Sequence, residues 1–276
     1  MFEKSGPLSA SFREHCTINR ESIQRAHGSS IEAMTRFIDA QYELLRITSW
    51  TGHSDEFSHR GPAQTILYSA LYKNAFLFFS ALDLARVGLY GPAGTLLRSI
   101  LEGLLFAKYC ALTDNDKVLN TWRAGDHVSL THQVLKKIEY PNTDAIKELW
   151  NGLNKMAHAS IYAQQIEAEF EGIKKEVHGI LAIVHVLLAF NYHVLTRHFL
   201  TPTAIYYTAS YGDKAALVSA RGAARVLATE SRKRLGRDGK QFLRECCARW
   251  RLKRTNPASN LTTASSGRSR AAQTER

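Results

Sequence analysis

Arg98 and Glu102 stand four residues apart in the segment LLRSILEG, and they are the only charges between Val87 and Ala107. On a helix that spacing puts both on one side. Leu105 and Tyr109 continue that side, and Leu97, Leu101 and Phe106 flank it. Leu96, Ile100, Gly103 and Ala107 make the opposite side equally uncharged. A helix apolar all round is a central one, so the sequence places this pair inside the protein or facing an internal cleft. A buried pair adds little net stability, but removing one partner strands the other at a cost of about 3–5 kcal/mol. Two roles fit: a latch between helices, or an anion site in which Arg98 binds and Glu102 holds the guanidinium.

His158 is the second candidate. Ile146, Leu149, Trp150, Leu153 and Ala157 form the apolar stripe of its helix, leaving Lys147, Asn151, Asn154, Lys155 and His158 on the other side. Asn151, Asn154 and Lys155 suit phosphate oxygens, and a histidine can exchange a proton near neutral pH. A solvated helix face has the same composition. His178, His185 and His193 recur at steps of seven and eight with no carboxylate beside them, the pattern of core histidines and not of metal ligands. A di-iron bundle needs Glu-x-x-His on two helices, and only Glu56 and His59 have that spacing; no phosphate-binding glycine loop or zinc-protease motif occurs, so neither a metal nor a cofactor is expected.

These side chains need a scaffold, and nearly all of the chain reads as helix. Period-2 alternation is scarce, prolines number six, and no Asn-Gly or Asp-Gly hairpin links apolar runs. Two amphipathic helices are expected over 11–27 and 29–49, a long apolar one over about 63–89, and one over 92–112 with Pro92 in its first turn. TDND (113–116) caps a further helix through Trp122. Asn142 or Thr143 caps another that reaches about His158, and a last core helix spans about 163–199. The fold class is all-α, an up-and-down helical bundle with a basic C-terminal extension.

Charge divides the chain. Residues 1–211 hold 20 Lys+Arg against 20 Asp+Glu, whereas 212–276 hold 16 against 5, so the whole net charge of +11 lies in the last quarter. The expected organisation is a bundle domain over 1–211 (core about 29–200) and a basic tail over 212–276. One helix is expected from Asp213 to Leu235, a basic amphipathic stretch near 242–254, and disorder beyond it. Arg232, Lys233, Arg234, Arg237, Arg244, Arg249, Arg251, Lys253 and Arg254, interleaved with Phe242 and Trp250, suit RNA or another acidic partner. A solvated tail is the plain alternative.

Cys16, Cys110, Cys246 and Cys247 form no C-x-x-C pair, and the N-terminus has no apolar signal segment. A cytoplasmic protein with reduced thiols is expected. Residues 177–196 carry no charged side chain over about the length that spans a bilayer. Three histidines and Asn191 would be costly there, so a buried core helix is expected in preference to membrane contact.

Two segments carry a resemblance. LLRSILEGLLFAKYCALTDND (96–116) and LWNGLNKMAHAS (149–160) are similar to a prokaryotic helical family of domains of unknown function. The pattern is Leu-x-Arg-Ser-x-x-Glu, a tyrosine and an acidic break, then a helix ending near a histidine followed by small residues. That family resembles the HEPN (higher eukaryote and prokaryote nucleotide-binding) group, many of whose members are metal-independent ribonucleases of toxin–antitoxin and phage-defence systems. The resemblance implies an Arg separated from the His by four to six residues; Asn151, Gly152 and Leu153 hold those positions here. The expected function is therefore a binding or regulatory module of a prokaryotic stress or phage-defence system. The alternatives are a metal-independent ribonuclease using His158 with Arg98 and Glu102, and a membrane-associated helical protein. Bundles often pair through a helix face, which makes a homodimer an expectation too.

Overall fold

A computed structural model describes residues 7–49, 62–112, 120–121, 124–126, 128, 133–137, 143–157, 175–200 and 214–249. Its helices are α1 (Pro7–Ser49), α2 (Pro62–Arg86), α3 (Tyr90–Cys110), α4 (Asp144–Ala157), α5 (Lys175–Val194), α6 (Lys214–Lys233) and α7 (Arg237–Cys247). A wider π-type turn, Leu195–Leu200, continues α5. No strand occurs among the described residues, and the protein is an all-α helical bundle.

The expected break between 27 and 29 is absent, since α1 runs unbroken through Gly28. One glycine costs a helix about 1 kcal/mol. Burial of Ile23, Ile31, Met34, Phe37 and Ile38 on one continuous stripe offsets that. The break after α2 falls at Gly88, inside the stretch 63–89 expected to be helical, and α3 begins at Tyr90, before Pro92. Leu89 N donates to Leu84 O (2.9 Å) and Gly88 N to Ala85 O (3.1 Å), the paired bonds of a Schellman end. Gly88 has a φ of 86°, which side chains rarely adopt. A Cβ there would also meet Asn19 Nδ2 at 2.5 Å.

α3 packs against α2, α4 and α5, and α5 against α1, α2, α3, α6 and α7. These two apolar helices are the axis of the bundle. The stretch Val177–Leu200 is long and apolar enough to cross a membrane, but 67% of its most apolar window is buried inside the bundle. Asn191, costly in lipid, is satisfied here. Asn74 Nδ2 donates to Asn191 Oδ1 (3.1 Å), Asn191 Nδ2 to Gln41 Oε1 (2.8 Å), and Gln41 Nε2 to Leu188 O (3.2 Å). This closed ladder of buried amides sets the relative register of α1, α2 and α5.

The region after 211 does not behave as an appendage over its described part. Leu217, Ala224 and Ala228 of α6, and Phe242, Leu243 and Cys246 of α7, are buried in the same core as α1 and α5. Two buried charges join α7 to its neighbours. Lys108 of α3, 1% exposed, donates to Cys246 O and to Ala248 O (2.8 Å). Glu245 of α7, 2% exposed, accepts from Ile146 N in the first turn of α4 (3.3 Å). A cation at one helix's C-terminus and an anion at another's N-terminus both complement the helix dipole. The expectations for 113–119, for Lys253 and Trp250, and for disorder beyond 254 lie outside the described residues.

Candidate functional site

Gly94 lets α3 and α4 approach closely: a Cβ there would sit 2.9 Å from Met156 Cβ. One turn further along, Arg98 Nε donates to Glu102 Oε1 (2.9 Å), and Trp150 Nε1 of α4 donates to the same oxygen (3.1 Å). The guanidinium lies 5.9 Å from the centre of the Trp150 ring, at the outer limit of a cation–π contact. The segment is helical and the pair forms, but it is not enclosed. The Arg98 and Glu102 side chains are 26% and 36% exposed. Leu97, Ile100, Leu101 and Leu104 take the fully buried side of α3, leaving the two charges on the shoulder where α4 leans against it.

The chemistry of this cluster is that of a bracket between helices. Glu102 collects a guanidinium and an indole N–H on one oxygen, so Arg98 is already engaged. An indole at the edge of an apolar stripe needs an acceptor for its N–H; that requirement is the sequence signal for Trp150, which membership of the stripe alone does not convey. Solvent screens the pair. Glu102→Ala is therefore expected to cost about 1–2 kcal/mol in urea unfolding, short of the 3–5 of an enclosed pair. A loss above that range would show the pair to be shut away from water.

Of the remaining candidates, His158 lies outside the described residues. Asn151 and Lys155 are exposed on the outer side of α4, and Asn154 is half-buried. Asn154 Oδ1 is buried without a hydrogen-bond partner, one turn along α4 from Trp150. The structure thus brings Arg98 and Glu102 together with Trp150, and leaves Asn151 and Lys155 facing away.

The α5 histidines divide. His185 is buried and shares hydrogen bonds with Ser30 Oγ (3.1 Å) and Ser231 Oγ (3.2 Å), a core histidine as expected. His193 sits edge-on to His198 at 5.6 Å. His178, in contrast, is exposed and meets His27 edge-on at 4.6 Å. Among the described residues no group of three or more His, Cys, Asp or Glu is placed to hold a metal ion.

Cations converge instead at the α6–α7 turn. Arg232 of α6 and Arg237, Lys240 and Arg244 of α7 line a groove of about 570 Å³ floored by Leu235, Leu243 and Cys247. No carboxylate lines it, and Arg232, Arg237 and Lys240 form no salt bridge among the described residues. Arg244 donates to Gln241 Oε1 (2.5 Å). Lys233, Arg234 and Arg249 are exposed nearby; Arg251 and Arg254 lie outside the described residues. Lys240 is missed by a reading that follows arginine density. Phe242 is no stacking platform, because it is 3% exposed and packs edge-on against Phe190 at 6.0 Å. No family model, no curated protein and no solved structure matches this chain.

Proposed function

We propose that the protein is a helical binding module that takes RNA by its phosphates in the groove at the α6–α7 turn. The observation that carries this reading is the convergence of Arg232, Arg237, Lys240 and Arg244 on one concave surface lined by no carboxylate. Two packed helices already hold the backbones of these four cations, so phosphate binding there has to order only their side chains and no segment of chain. The apolar floor adds a surface for bases or ribose between the charges. The concentration of the chain's whole net charge in its last quarter supports the same reading, since a uniformly basic protein would attract phosphate without a preferred face. Set beside the HEPN-like resemblance of 96–116 and 149–160, this is the work of a binding or regulatory component of a prokaryotic stress or phage-defence system.

The test is a binding titration with a labelled single-stranded RNA. Replacing Arg237, Lys240 and Arg244 together by Ala is expected to weaken binding at least tenfold, at roughly 0.5–1 kcal/mol for each phosphate no longer engaged. Arg25→Ala, which removes an exposed cation of α1, is expected to leave it unchanged. Equal loss from both changes, or from neither, would refute the assignment.

A further inference from the structure

A separate surface remains after the core, the α3–α4 bracket and the cationic groove are accounted for. It is the outer face of α2. Tyr72 and Phe76 are 41% and 53% exposed there, together with Thr65, Ser69, Lys73, Ser80 and Asp83. Tyr42 of α1 joins them, with ring centroids 5.9 Å from Tyr72 and 6.1 Å from Phe76. Tyr68 stacks on Tyr72 at 5.9 Å, and Tyr72 meets Phe76 at 5.2 Å. Lys73 is the only charge on α2 between Pro62 and Leu82. Aromatic enrichment with depletion of charge is the composition of an interface centre, not of a solvated helix.

The pattern along this face says what covers it. A two-fold dimer requires a surface complementary to itself. Laid antiparallel about an axis level with Phe78, α2 and its copy place Phe76 opposite Ser80. The same alignment places Lys73 opposite Asp83. A large ring meets a small side chain, and the one cation of the face meets an anion, twice over by symmetry. Asp83 is 73% exposed, and its bond to Arg86 is long at 3.5 Å, so it is open to a second cation. A nucleic acid would need cations flanking the rings, and Lys73 stands alone on α2 there.

We propose that the outer face of α2 is the contact between two copies of this chain, packed antiparallel with Phe76 against Ser80 and Lys73 against Asp83 of the second copy. This is independent of the RNA groove, which lies on α6 and α7.

Light scattering on the purified full chain tests it, with far-UV circular dichroism to confirm helix content. The wild type is expected at twice 31.0 kDa at tens of micromolar. Phe76→Glu, at an exposed position, is expected to be folded and monomeric, because the dimer would bury its carboxylate. Lys73→Asp and Asp83→Lys each set like charges together at two symmetric places and are expected to raise the dissociation constant roughly tenfold. The double exchange K73D/D83K is expected to restore it. A monomeric wild type, a dimer indifferent to Phe76→Glu, or a double exchange that fails to recover would each overturn the proposal. So would a monomer that co-floats with phosphatidylcholine vesicles, which would assign the rings to a lipid surface.

Discussion

Lys108→Ala is expected to destabilise the protein by about 2–3 kcal/mol, while Lys108→Met stays within about 1 kcal/mol of wild type. Three contributions decide this. Deleting the ammonium strands the carbonyls of Cys246 and Ala248 at the end of α7, at roughly 1–3 kcal/mol each. Deletion also removes a desolvated charge: burial pulls the Lys108 pKa from 10.5 to about 8, which returns roughly 3 kcal/mol. These two nearly cancel. The third is the aliphatic stem, which Met largely keeps and Ala loses, at roughly 0.8 kcal/mol per buried methylene. Urea unfolding measures both variants, and hydrogen exchange in α7 locates the loss. Equal destabilisation by Met and Ala would contradict this division, as would an Ala variant as stable as wild type.

Acid is expected to unfold the protein earlier than carboxylate protonation alone would. Burial, the largest cause in each case, pulls His185 to about 4, His193 to about 3 and His198 to about 4. Arg234 adds to the effect at His185, and Lys108 at the other two. In the unfolded chain all three return to 6.5 and take up protons first. A depressed folded pKa means stability that is complete above 6.5 and lost as pH falls towards 4. With partial exposure of His193 and His198 discounted, the loss is about 4 kcal/mol between about pH 7 and 5. Melting temperature against pH measures it. The double variant His193→Asn/His198→Asn is expected to flatten the slope; a wild-type melting temperature level over that window would refute the account.

Helix content was legible because it rests on local periodicity. The site was legible only where its partners are local. Arg98 and Glu102 lie one turn apart, so their bond could be read directly. Their exposure depends on how α4 leans on α3, which no local pattern encodes. Lys108 shows the converse. Its long side chain reads as a surface residue, and its acceptors are 138 and 140 residues away. Arginine dominates the composition after 211, and charge is the pattern most visible there. The apolar positions Leu217, Ala224, Ala228, Leu235, Phe242 and Cys246, all buried, lie among those arginines and tie α6 and α7 to the core. The groove is a consequence: because one side of each helix is held, the cations on the other converge.

The salt dependence of RNA binding tests the central assignment most directly. Fluorescence anisotropy with a labelled single strand, repeated at rising salt, gives the slope of log affinity against log salt concentration. Four phosphates engaged by Arg232, Arg237, Lys240 and Arg244 predict a slope of about −3, made shallower by about 0.7 with each cation removed. An affinity indifferent to salt, or a slope that persists when all four are replaced by Ala, would contradict it.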